Sequence, residues 1–238
     1  MAAEVAVGEV ETVAWHVAEF FASVQNLLDE WRSVVADSLE HATLPGALDE
    51  CVSELVLPEL GRDHALLIGA GFVGAVECAG GTEEYFSWWL GPLDANPVFG
   101  ATSVPTRLDI TARSYSELLR DYRALEWYSV PLATSSTHIA GPYVDYLCAC
   151  DYVVTITTPV EHAGRMVGVI GVDIYVKRLE PEFLPVMLDA GVPLVLVNNS
   201  GRVLVSTDPT IPTGVLIDTR GRVTCPGTSL HVVQTNSI

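Results

Sequence analysis

An α+β fold, in which an antiparallel sheet is backed by helices and entered from a long N-terminal helix, is predicted by three observations. Apolar residues from Glu9 to about His41 recur at alternating steps of three and four, the period of an amphipathic helix. Two very apolar runs, from Tyr152 and up to Tyr175, flank a short polar turn and read as a strand pair. The remaining segments alternate helix, helix, strands, helix, strands, helix, strands, an order that fits helices laid on one side of a sheet.

The first helix carries Val10, Val13, Val17, Phe20, Val24, Leu27, Trp31 and Val34, and Ala14, Phe21, Leu28 and Val35 add a third column. A stripe that wide covers a globular core as readily as a partner helix, so packing on its own sheet is expected first and dimerisation through the same helix stays open. Leu44-Pro45-Gly46 breaks it, and Ala47 to Leu60 reads as a second helix closed by Gly61. Ala65 to Cys78 and Tyr85 to Leu90 form a hairpin across Ala79-Gly80-Gly81-Thr82. Trp88 and Trp89 are adjacent in the second strand and must face opposite sides, one toward the core or a pocket and one toward the helices or an interface.

Residues 91–107 are a proline-rich loop, and Ser114 can cap a helix reaching Trp127, with Glu117 three residues on. The stretch 129–142 reads as irregular. Tyr152 to Thr158 and Arg165 to Tyr175 pair across Glu161-His162-Ala163-Gly164. Leu179 to Asp189 is a helix that Pro185, lacking an amide hydrogen, is expected to bend or end. Short strands follow at Pro193 to Val197, Gly201 to Thr207, Val215 to Asp218 and Arg222 to Cys225. The expected organisation is a helical segment at 1–62, a sheet domain at 63–207 and a strand or hairpin extension at 208–238.

Composition narrows the function. With 238 residues, 49% hydrophobic and 18% charged, the chain has ample material for a core and is not disordered. Thirty acidic residues against twelve basic ones give a net charge of -18, which repels nucleic-acid phosphates. Cys51, Cys78, Cys148, Cys150 and Cys225 make an odd count without a disulfide framework, and Cys148-Ala-Cys150 lacks zinc-ligand spacing, so no metal and no cofactor are expected. Early Glu4, Glu9 and Glu11 do not fit a signal peptide, and Glu161, His162 and Arg165 interrupt the most apolar stretch, so a soluble, cytoplasmic protein without a membrane span is expected. An enzyme is not expected. Ser135, Ser136 and His138 lie close in sequence without a nucleophile elbow, and His16, His41, His64, His162 and His231 are scattered.

Aromatic and acidic residues recur between Trp127 and Asp173. The segments Trp127-Tyr128, Pro142-Tyr143-Val144-Asp145, Thr155-Ile156-Thr157-Thr158-Pro159-Val160 and Gly164-Arg165-Met166-Val167-Gly168-Val169-Ile170-Gly171-Val172-Asp173 resemble the Cache sensor domains, whose sheet is similar to that of PAS domains. The resemblance spans roughly 63–207 and is strongest over 121–180. It implies a PAS-like sheet, a small-molecule pocket, and signalling through helices to an output module. It also implies that Trp127, Tyr128, Tyr143, Asp145 and Asp173 surround the ligand's ammonium group. Elementary electrostatics agrees: ring faces attract a cation by about 1–2 kcal/mol once desolvated, and carboxylates add charge and acceptors.

Two departures from the resemblance redirect the expected ligand. The arginine that grips an α-carboxylate in the amino-acid-binding members is here Leu125, and an upstream tyrosine is Arg120. An amine or quaternary ammonium compound is therefore expected ahead of a free amino acid, with Arg120 or Arg123 able to reach in and keep amino acids as the second class. The partners expected are that ligand, a second copy through the N-terminal helix, and a separate output protein. A scaffold that keeps the fold without a ligand is the other reading.

Overall fold

The computed structural model describes residues 2–41, 45–75, 85–92, 101–108, 122–145 and 151–235. Two helices, α1 (Ala2–His41) and α2 (Pro45–Leu60), precede a six-stranded antiparallel sheet. Its strands are β1 (Leu67–Gly74), β2 (Tyr85–Leu90), β3 (Thr106–Arg107), β4 (His138–Val144), β5 (Tyr152–His162) and β6 (Arg165–Tyr175), in the order β3-β2-β1-β6-β5-β4. A 3₁₀ turn (Tyr122–Ala124) and α3 (Glu126–Thr134) lead into β4, and α4 (Val176–Asp189) leaves β6. A second antiparallel sheet holds β7 (Leu194–Asn198), β8 (Val203–Ser206), β9 (Val223–Thr224) and β10 (Leu230–Gln234), in the order β8-β7-β10-β9. The α+β class, the long N-terminal helix and the PAS-like antiparallel sheet are all present.

The helix α1 packs on its own protein. Val10, Val13, Ala14, Val17, Phe21, Val24, Leu28, Trp31 and Val35 are buried in one core with Phe72, Ile156, Ile170, Val172 and Ile174 of the first sheet. The same core takes Leu194, Leu196, Leu230 and Val232 of the second sheet, so one helix spans both. Strand alternation sorts the opposite faces. Val195, Val197 and Val233 turn away to a separate cluster with Ile211 and Ile217 packed on it. Trp15, by contrast, is 59% exposed on the far side of α1.

Several boundaries differ from expectation. Helix α2 begins at Pro45, since proline suits a first helical turn whose amide would be unpaired. Helix α4 begins at Val176 and runs through Pro181 and Pro185 to Asp189. Both prolines are exposed, so the carbonyls they leave unpaired face water, while Val176, Leu179, Phe183 and Met187 anchor the buried side. Strand β5 continues past Pro159 to His162, because β4 pairs no further than Thr157 and β5 is an edge on that side. Its hairpin turn is the two residues Ala163 and Gly164, at φ 51° and 75°, between paired His162 and Arg165.

The stretch expected to be irregular at 129–142 contains most of α3 and the start of β4. Residues 215–218 form no strand, only a bridge between Leu216 and Arg202. Strand β10, which the sequence reading passed over, lies between β7 and β9, and position 207 falls inside the span of this second sheet. The expected Gly turn at 79–82 lies outside the described residues. No helix among the described residues is long and apolar enough to cross a membrane.

Candidate functional site

The first sheet has two unlike faces. Ile170, Val172 and Ile174 of β6 point to α1, whereas Val169, Gly171, Asp173 and Tyr175 point the other way. On that second face Gly71 pairs with Gly171, and Gly69 with Asp173, so three neighbouring positions carry no side chain. Trp88, paired with Gly71, fills the gap: its Nε1 lies 2.9 Å and Asp173 Oδ2 lies 3.0 Å from where a Cβ on Gly69 would stand. The outer ring edge reaches 3.5 Å from the equivalent point on Gly171. Trp88 thus takes this second face of the sheet, and Trp89 packs against the α1 core.

Asp173 is 7% exposed and accepts a hydrogen bond from the Thr155 hydroxyl, at 2.5 Å. Thr155 in turn accepts one from the Tyr143 hydroxyl, also at 2.5 Å. Tyr143 reaches this face through a register shift between Ala140 and Tyr143, which sets it opposite Val153 instead of Tyr152. Val153 belongs to the cluster on this second face and Tyr152 packs on the helix-side core, so the one-residue shift moves Tyr143 from one face to the other. The Asp173 carboxyl is pushed up to about 7, by burial first and by the nearby Asp145 charge second, with the Thr155 bond opposing both. Asp145, half-buried at the end of β4, is thus close enough to feel Asp173, and its amide donates to the Asp151 carbonyl.

The aromatic wall comes from α3. Pro131 in that helix has no N–H for the Trp127 carbonyl one turn earlier, and the Thr157 hydroxyl donates to that carbonyl instead, at 2.6 Å. Thr157 shares a strand face with Thr155, so this bond fastens Trp127 one strand repeat from the Asp173 relay. Tyr128, 3% exposed, meets Tyr122 edge to face with centroids 5.0 Å apart, and Trp127 stacks on Tyr122 at 6.1 Å. All five residues singled out from the sequence therefore lie on or beside one sheet face. Tyr122, Thr155 and Trp88 were missed as site residues.

Arg123 lies over the Tyr122 ring at 5.8 Å, and Arg120 is outside the described residues. Lys177 pairs with Asp151 at 2.9 Å over the Tyr175 ring, and Arg178 donates to the carbonyls of Ala65, Leu66 and Leu67. Leu125 caps α3 with its side chain 40% exposed. Among the described residues Asp173 has no ion-pair partner.

Ser136 donates to the Thr134 carbonyl, and His138 pairs with Glu126 at 2.8 Å instead of with a serine. Among the described residues no group of three or more His, Cys, Asp or Glu could hold a metal ion. Cys78, Cys148 and Cys150 lie outside the described residues, and Cys225 is a buried thiol pushed up to about 12 by desolvation.

Comparison with known proteins adds the following. Residues 87–181 match the family model described as methyl-accepting chemotaxis protein-like, first PDC sensor domain. No curated protein sequence matches. Among solved structures, the extracellular domain of the putative histidine kinase soHK1S-Z6 is similar with a TM-score of 0.62 at 14% identity, over 95% of this chain and 90% of that one. The ligand-binding domain of the Pseudomonas aeruginosa PAO1 amino acid chemoreceptor PctC, in complex with GABA, has a TM-score of 0.57 at 17% identity, over 95% of each chain. That of the Pseudomonas fluorescens chemoreceptor CtaA, in complex with L-valine, has a TM-score of 0.58 at 15% identity, over 97% of this chain and 96% of that one. The matched family and these neighbours are sensor domains and not enzymes, and the fold of this chain is that of the PDC, or Cache-like, sensor domains.

Proposed function

We propose that this chain is a ligand-binding sensor domain whose site takes a small amine, and that binding is passed on by a rearrangement of α1 or of a dimer formed through it to a separate output protein. The observation that carries the reading is Asp173: a carboxylate almost closed off from water, beside Asp145 and an aromatic wall, without an ion-pair partner among the described residues. A ligand ammonium group supplies the missing charge, and the loss from burying an unpaired carboxylate becomes a gain when that partner arrives. Signalling then requires the occupied site to favour one arrangement of α1 over another.

A free amino acid is the second reading. It is favoured by the similar folds crystallised with GABA and L-valine, and opposed by Leu125, which leaves an α-carboxylate facing Asp145 and Asp173. The test is a thermal-shift panel of amines and their α-carboxylated analogues on wild type and Asp173→Ala. Ligand at 100 times its Kd stabilises by about 2.7 kcal/mol. The expected result is a shift with amines that Asp173→Ala abolishes while its ligand-free melt stays cooperative. A variant that keeps the full shift overturns the site, and silence across the panel favours the scaffold reading.

A further inference from the structure

Asp173 uses one oxygen on Thr155, and its other oxygen, Oδ2, forms no hydrogen bond among the described residues. The Trp88 indole Nε1–H is likewise without a partner there. Both lie against the same bare patch over Gly69, at 2.9 Å and 3.0 Å from one point, and so stand at most about 6 Å apart. One is a donor and the other an acceptor. A ligand that satisfies only one of them leaves the other desolvated and unpaired.

Resting on the amine reading, we infer that Trp88 is a specificity-determining residue of this site, and that the ligand is an amine with a neutral acceptor, a hydroxyl, on the neighbouring carbon. The ammonium group donates to Asp173 Oδ2 and the hydroxyl oxygen accepts from Trp88 Nε1–H. The two ligand atoms are then about 3–4 Å apart, which matches two protein groups that converge on one patch. A quaternary ammonium ion fits less well because it has no hydrogen for Oδ2. A carboxylate in place of the hydroxyl is repelled by Asp145 and Asp173 and meets no arginine at Leu125. Gly69 is part of the device, since any side chain there would collide with both polar atoms.

The experiment is calorimetric titration of the full chain with 2-aminoethanol and with n-propylamine, which has the same number of heavy atoms and no acceptor. Wild type is expected to bind 2-aminoethanol at least about tenfold more tightly, the usual loss when a polar group is left without its partner. In Trp88→Phe, which keeps a ring over the glycines and removes the donor, the preference is expected to fall below about threefold, mostly through weaker 2-aminoethanol binding. Equal wild-type affinities for the two amines overturn the hydroxyl assignment and leave the amine reading standing. A preference that survives in Trp88→Phe overturns the role of Trp88. If neither amine binds wild type at millimolar concentration, the amine reading itself fails.

Discussion

Asp173 concentrates the chemistry of this molecule in one side chain. Its folded-state pKa of about 7 stands above the ordinary aspartate value of about 3.9, so the folded protein holds that proton more tightly than the unfolded chain does. The stabilisation this gives is complete below about pH 4 and is lost as pH rises through about 7. Asp173→Asn, which has no charge to bury, is therefore expected to gain stability over wild type between pH 5 and pH 8, by an amount on the order of a few kcal/mol. Urea unfolding at both pH values checks this, and a difference that does not change with pH contradicts the assignment. The acid and aromatic members of the candidate site stand out in the sequence because Trp, Tyr and Asp are conspicuous there. Thr155, Trp88 and Tyr122 were not, for a threonine within Thr155-Ile156-Thr157-Thr158 reads only as strand, and its role appears once the register sets it opposite Asp173. The exposed position of Leu125 also became visible only with the cap of α3 in place.

Among the elements, β4 and α3 bring Tyr143 and the Trp127-Tyr128 pair to the candidate site, and the stretch 129–142, which holds most of both, reads from sequence as irregular. Proline and glycine mark breaks in a local reading, yet Pro131 sits within a helix because Thr157 satisfies the carbonyl it leaves unpaired. The two residues should therefore be coupled. Thr157→Val is expected to cost about 1–3 kcal/mol by leaving the Trp127 carbonyl without its donor. Pro131→Ala restores a backbone N–H one turn along, so the cost of Thr157→Val should shrink by about 1 kcal/mol or more in that background. A double-mutant cycle in urea measures the coupling, and strict additivity counts against this account of how α3 is fastened. The register shift that turns Tyr143 inward has no sequence signal of its own, which is why the reading had the residue and not its direction.

At the scale of the whole molecule, α1 is a spine shared by two sheets, and the second sheet reaches back to β4, the strand that carries Tyr143 and leads into Asp145. The Asn198 amide donates to the Gly141 carbonyl at 2.6 Å, and the Ser229 hydroxyl to that of Ile139 at 3.2 Å. The two ends of the fold are thus tied through β4 as well as through α1. The amphipathic period of α1 announced its buried stripe, while the second sheet was only half legible, because β10 pairs along its length with β7, more than thirty residues earlier in the chain. Charge on Val17 would strike the protein's own core, so the exposed Trp15 is the better probe of association. The central claim is that the Asp173 carboxylate is the counter-ion of an amine. Calorimetric titration with 2-aminoethanol from pH 5.5 to pH 8, repeated in two buffers of different ionisation enthalpy, tests it most directly. The account predicts that affinity falls by up to about tenfold per pH unit below about 7, and that a proton is released on binding near pH 6, because the ammonium group must displace the proton on Asp173. An affinity that stays constant across this range, with no proton released, would contradict it.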